Sequence, residues 1–101
     1  MNYRVIYAPE VETDLQEGID WYNDKLPGLD ARFLQNVKEQ LDYIEKNPSA
    51  VAIRYDEIRC VKVKAFPYLI HFKVEKEIKI IKVIAIFNTS RNPAIWIIRD
   101  K

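Results

Sequence analysis

The hydrophobic rhythm of the chain changes once. From Val11 to Ile44 apolar residues recur every three or four positions, the period of a helix. From Val51 onward they alternate or run together, as in strands. A short alternating run precedes both. In residues 3–7, Tyr3, Val5 and Tyr7 fall on one face of a strand, and Arg4 and Ile6 on the other. Pro9 suits the first turn of a helix, where its missing N–H costs nothing, and Glu10 and Glu12 put negative charge at the positive end of the helix dipole. Val11, Leu15, Ile19 and Tyr22 form the apolar face, widened at its edge by Trp21, while Glu12, Asp14, Glu17, Asp20 and Asp24 take the exposed side. This helix ends near Asn23-Asp24, and Leu26-Pro27-Gly28 breaks the chain. A second helix is predicted from Asp30, its N-cap, to Lys46, with Phe33, Leu34, Val37, Leu41 and Ile44 as its stripe. Lys46-Asn47-Pro48 stops it, and the two helices form an antiparallel hairpin.

Beyond the hairpin, Ile53 to Tyr55 reads as a short strand and Ile58 to Lys64 as a longer one. Pro67 opens the next, in which Tyr68, Ile70, Phe72 and Val74 point one way and Leu69, His71, Lys73 and Glu75 the other. Glu75-Lys76-Glu77 is the turn into Ile78–Phe87, the most apolar and most β-branched run of the chain, which predicts a buried central strand. That run stops at the polar segment Asn88-Thr89-Ser90-Arg91-Asn92-Pro93, with Trp96 three residues further on. A core strand that delivers a polar cluster to its own end is a common way to place a site on a rigid base. The expected fold is α+β: an N-terminal strand, an antiparallel helical hairpin and a mostly antiparallel sheet, β-α-α-β-β-β, in one domain spanning residues 1–101. The helices can cover only one sheet face. The other, with His71, Lys73, Lys62 or Lys64 and the Arg91 loop, is left to meet something else.

Composition narrows the function. The chain has 101 residues with 49% hydrophobic and 31% charged, a soluble globular composition with room for one core. Two glycines exclude a Gly-rich phosphate loop or a dinucleotide fingerprint. A single cysteine, Cys60, excludes a disulfide framework, and a single histidine, His71, argues against a zinc site. No cofactor or metal is expected. No apolar run approaches the roughly 20 residues of a membrane span and no signal peptide is evident, so a cytoplasmic location is expected. The net charge is +1, yet residues 1–50 carry −5 and residues 51–101 carry +6. Such a split suits a face that meets an anion or an acidic partner, as well as a plain solvated surface.

With the elements in order, the residues carry a resemblance. Ala8-Pro9-Glu10, Asp14-Leu15, Trp21-Tyr22, Leu26-Pro27-Gly28-Leu29, Arg32-Phe33, Asn47-Pro48, Ile58-Arg59, Phe66-Pro67-Tyr68-Leu69-Ile70 and Thr89-Ser90-Arg91-Asn92-Pro93 with Trp96 follow one another along nearly the whole chain. Together they resemble the RelE/ParE superfamily of bacterial type II toxins, also known as plasmid stabilisation proteins. The resemblance implies a toxin that inhibits growth unless a cognate antitoxin, an acidic and partly disordered segment wrapping the sheet and helices, binds it. It leaves the target open. RelE-like members cut mRNA on the ribosome, whereas ParE-like members poison DNA gyrase.

Metal-independent RNA cleavage requires groups that activate a 2′-hydroxyl, stabilise the phosphorane and protonate the leaving oxygen. Arg59, Lys62, Lys64, His71 and Arg91 are the catalytic candidates, with Tyr68 beside them. Arg91, Arg59 and Trp96 are the candidates for contact with a target or nucleic acid, Trp96 by stacking on a base. Each has a structural alternative. Arg59 can pair with Asp56 or Glu57, and Lys62, Lys64, Lys73 and Lys82 can be solvated edge-guarding lysines. His71 and Tyr68 can belong to the core, and Trp96 can fold back as a plug. Arg91, with no acid beside it, is the strongest functional candidate. Family members often carry histidine just before Thr-Ser-Arg, where this chain has Asn88, which cannot transfer a proton near neutral pH. The expectation is a ParE-like, gyrase-directed toxin. The alternatives are a RelE-like ribosome-dependent endoribonuclease and a degenerate domain that only binds its antitoxin. The oligomeric state is left open.

Overall fold

A computed structural model describes residues 2–89. The elements are β1 (Arg4–Tyr7), α1 (Pro9–Lys25), α2 (Leu29–Lys46), β2 (Ile53–Tyr55), β3 (Ile58–Lys62), β4 (Tyr68–Glu75) and β5 (Ile80–Asn88). Four strands therefore follow the helices, the short Ile53–Tyr55 among them as the sequence predicts, one more than the order β-α-α-β-β-β counts. The sheet order is β1-β5-β4-β3-β2. β2 to β5 form a meander of antiparallel hairpins, and β1 lies parallel to β5 with Arg4 opposite Ile80 and Tyr7 opposite Val83, so the sheet is mixed. β4 is the middle strand. β5 is an inner strand next to the β1 edge, rather than the centre its apolar run suggested.

Pro9 opens α1 and Glu10 and Glu12 occupy its first turn, as helix energetics favour. Its buried positions are Val11, Asp14, Gly18 and Tyr22, spaced by three and four residues. Asp14 thus belongs to the packed face and not to the exposed side. Trp21 is 55% exposed and lies under the Lys25 ammonium, 4.3 Å from its ring centroid. α2 is capped at its N-terminus by Gly28, at φ +94°, where a left-handed residue turns the chain sharply between the helices; Asp30 sits inside the first turn instead. Phe33, Val37 and Ile44 are the buried residues of α2, and Leu34 turns towards solvent.

The two helices cross where Gly18 meets Phe33. A Cβ at Gly18 would stand 2.7 Å from Phe33 Cε2. Phe33 cannot yield, because it is packed against Tyr22, Phe66 and Tyr68 at centroid distances of 5.2, 5.3 and 4.9 Å. Overpacking of this kind costs about 1–3 kcal/mol, against the roughly 1 kcal/mol that alanine gains over glycine in a helix. Gly18→Ala is expected to lower the urea midpoint even though it raises helix propensity. An unchanged or raised midpoint would show that the crossing has slack.

The turns carry left-handed residues that are not glycine. Asp56 and Glu57, at φ 42° and 64°, close the two-residue β2–β3 turn, Ala65 at 68° lies in the β3–β4 turn, and Lys79 at 55° ends the β4–β5 turn. Residues 76–79 form that last turn, so Ile78 is a turn residue, 66% exposed, and not the start of the core strand. Lys64 likewise belongs to the β3–β4 turn, because β3 ends at Lys62. Positive φ at both central positions is the geometry that Asn-Gly satisfies without strain. Asp56→Asn with Glu57→Gly is expected to stabilise the fold by about 1 kcal/mol, read as a higher thermal midpoint by circular dichroism.

One bulge controls what faces where. The β4–β5 register runs His71↔Ala85 and then Phe72↔Val83, leaving Ile84 as an extra residue. On one side of it Ile81 and Val83, and on the other Ile86, all point to the helices. Ile84, Ala85 and Phe87 point to the opposite face, which we call the second face, with Ile58 and Cys60. A sequence run with no alternation thus comes from a strand whose parity is switched midway.

Candidate functional site

The second face is where a polar, reactive surface was expected, and it is filled with side chains. Ile58, Ala85 and Phe87 are at most 1% exposed, and His71, opposite Ala85, is fully buried. His71 Nδ1 lies 3.0 Å from the Tyr55 hydroxyl and 3.3 Å from Cys60 Sγ, and its ring meets Phe87 edge-on at 5.2 Å. In the tautomer with Nδ1 unprotonated its single lone pair accepts from one of them, and the Tyr55 hydroxyl is the nearer and stronger donor. Burial pushes the Cys60 thiol up to about 11, against Arg54, which acts to lower it. That thiol stays protonated at neutral pH and is a poor nucleophile. His71 is thus not presented to a partner on an open face. It ties β4 to β3 and to β2.

The lysines divide. Lys62 Nζ donates to the carbonyls of Val63 and Phe66, both at 3.3 Å, and holds the β3–β4 turn together. The Lys64 carbonyl accepts from Asn36 Nδ2 at 2.8 Å, fastening that turn to α2, while the Lys64 side chain is exposed. Lys73 and Lys82 stand opposite each other across β4 and β5. Like charges so placed repel, which favours acidic groups around them.

Arg59 does not pair with Asp56 or Glu57. Its Nη1 donates to the Val51 carbonyl at 2.6 Å and to the Ser49 carbonyl at 3.5 Å. It therefore pins the α2–β2 connection, on the helix side of the sheet, away from His71. It borders a cleft of about 310 Å³ with Ile53, Glu57, Val74 and residues 75–77. Tyr68 is in the core, its ring 4.9 Å from that of Phe33. Arg91 and Trp96 lie outside the described residues. The last rung before them is Thr89 N–H to the Pro67 carbonyl at 2.8 Å, with Asn88 opposite Tyr68. The structure thus brings His71 and Cys60 together, turns Arg59 to the opposite face of the sheet, and has Lys62 and Lys64 serve the β3–β4 turn. Among the described residues no group of three His, Cys, Asp or Glu side chains is placed to hold a metal ion.

One polar side chain was missed. Asp14 is 6% exposed, and its Oδ2 accepts the Ile86 N–H at 3.0 Å. β1 stops at Tyr7, and the Ala8 N–H to Val83 carbonyl bond is its last contact with β5. Beyond Val83 no strand among the described residues pairs with the outer edge of β5, and a buried ladder N–H must find another acceptor. α1 crosses there and supplies a carboxylate. The clue in the sequence is spacing: Asp14 stands three residues after Val11 and four before Gly18, on the buried stripe.

This arrangement, a helical hairpin on one face of a mixed sheet with a parallel edge strand, recurs in solved structures. The chromosomal ParDE toxin-antitoxin system from P. aeruginosa matches with a TM-score of 0.75 and 18% identity, over 87% of this chain and 97% of that one. A mutant of the E. coli toxin RelE in the free state matches at 0.64 and 16%, over 89% and 86%. The RelBE2 toxin-antitoxin complex from Mycobacterium tuberculosis matches at 0.61 and 17%, over 87% and 99%. The fold is therefore that of the RelE/ParE class of small toxins. Within it, residues 5–93 match the family model described as ParE toxin of type II toxin-antitoxin system, parDE, and the chain belongs to that family. No curated protein matches the chain. Among the described residues no helix is long and apolar enough to cross a membrane.

Proposed function

We propose that this chain arrests bacterial growth by acting on DNA gyrase in the cytoplasm, without cutting RNA, until a cognate antitoxin binds it. The observation that carries this reading is the filled second face. General acid–base catalysis needs a titratable group within hydrogen-bond reach of the reacting proton. His71 is fully buried under Tyr55, Cys60 and Phe87, and Asn88 at the end of β5 cannot transfer a proton. Membership of the ParE family supports the same reading. Arg91, just past the last rung of β5, is our candidate for the contact with the target.

The test joins two measurements. The chain is induced in bacteria while growth and mRNA 5′ ends are followed, and purified gyrase is assayed for plasmid supercoiling with and without the chain. Arrest with intact mRNA and loss of supercoiling is expected. New 5′ ends inside translated codons would overturn the proposal in favour of ribosome-dependent RNA cleavage, and absence of both arrest and gyrase inhibition would leave an antitoxin-binding domain. Arg91→Ala is expected to abolish arrest without changing the circular dichroism spectrum; a folded, fully toxic variant would remove Arg91 from the site.

A further inference from the structure

The outer edge of β1 is an unused pairing surface between two hollows. Towards β5, the N–H groups of Arg4 and Ala8 bond the carbonyls of Lys79 and Val83 at 2.9 Å. In a parallel ladder alternate residues turn their polar groups to opposite sides, so the N–H and C=O groups of Val5 and Tyr7 face away from β5. Among the described residues no strand covers that side. At the Tyr7 end, Tyr7, Pro9, Val11, Leu15 and Leu41 line a mostly apolar hollow of about 380 Å³, with Glu12 on its rim. At the other end, Tyr3 and residues 45–50 enclose a hollow of about 400 Å³. Ile6 and Tyr7 are 37% and 52% exposed.

The charge on this flank is specific. Glu12, Asp42 and Glu45 are all exposed. Glu12 lines the apolar hollow, Asp42 follows its lining residue Leu41 in sequence, and Glu45 lines the hollow at the Tyr3 end; burial, then Glu45 and Asp42, hold the Tyr7 hydroxyl above its ordinary pKa. Lys46 lines the hollow at the Tyr3 end. The flank therefore offers backbone groups for strand addition, an apolar seat beside them, and an acidic rim at the Tyr7 end.

We propose that this flank receives an extended segment of a protein partner in which one apolar residue has lysine or arginine two positions before and after it, so that all three side chains point to the helix face. The partner's backbone adds to β1, one apolar side chain enters the hollow between Val11 and Leu41, and its cations meet Glu12, Asp42 and Glu45. An acidic antitoxin tail has the wrong sign for this rim and suits Lys73 and Lys82 on the second face. The proposal is independent of the gyrase reading.

The test is an NMR titration of the full ¹⁵N-labelled chain. The probes are a short synthetic peptide with a central Leu, Lys or Arg two positions before and after it and Thr between them, and a matched peptide with Glu or Asp in place of each cation. The basic peptide is expected to bind saturably, to shift the Val5 and Tyr7 amides and to weaken as salt is raised. Glu12→Lys with Glu45→Lys, both at exposed positions, is expected to reduce its affinity by about tenfold. Leu41→Ala, which removes apolar lining and no charge, is expected to weaken it without changing its salt dependence. No saturable binding, equal binding of the acidic peptide, or shifts confined to the second face would overturn the proposal.

Discussion

Asp14→Ala is expected to lower stability by about 2–3 kcal/mol, the cost of leaving a buried N–H without its charged acceptor. In a chain of this size that corresponds to a fall of roughly 10–20 °C in the thermal midpoint. The reason is local. β1 is only four residues long and its pairing with β5 ends at Val83, so the Ile86 N–H has the Asp14 carboxylate where a strand carbonyl would otherwise stand. Asp14→Asn keeps an acceptor oxygen in place and is expected to lose less than half as much. Urea denaturation of the three chains decides the matter. Equal losses for both variants would mean that the negative charge, and not the acceptor, is what the site requires.

His71→Ala is expected to cost about 2–4 kcal/mol, because it opens a cavity at a fully buried position and strips the Tyr55 hydroxyl and the Cys60 thiol of a common partner. His71→Gln retains an acceptor and most of the volume, and is expected to cost less. The functional outcome separates the two readings of this residue. A structural histidine predicts that His71→Gln still arrests growth at a temperature where the variant is folded. A catalytic histidine predicts a folded chain with no toxicity. Loss of arrest in a variant that melts within a few degrees of the native chain would overturn the non-nucleolytic reading of the second face.

The helical hairpin was readable because its apolar residues keep one period throughout, and both helix spans agree with the stripes Val11–Tyr22 and Phe33–Ile44. The strands were readable as elements but not as faces. Nothing in IIKVIAIF marks Ile84 as the bulged residue, since bulge position depends on pairing with β4, which sequence periodicity does not contain. Asp14 was read as solvent-exposed because carboxylates usually are, and only the end of β1 makes a buried one useful. For a structural Arg59 the sequence offers only its neighbours Asp56 and Glu57 as partners, whereas its acceptors are main-chain carbonyls eight and ten residues away. Lys64 and Ile78 were placed in strands because the adjoining left-handed positions are Ala65 and Lys79, not the glycines that usually announce a turn. His71 was placed on the correct side of β4, but what buries it there arises from tertiary contacts.

The parallel pairing of β1 with β5 also sets an order of events. Arg4 must find Ile80, and Tyr7 must find Val83, across almost the full length of the chain, whereas every other strand pairs with its immediate neighbour in sequence. Closing so long a loop is entropically costly and comes late in folding. During synthesis the helical hairpin can pack before any sheet exists, but the first strand made must wait for the last. The Asp14 carboxylate waits with it, since its acceptor role begins only when Ile86 arrives. The toxin fold is thus completed only once β5 has been made, and a chain cut short before β5 is missing both the partner of its first strand and the donor for its buried acid.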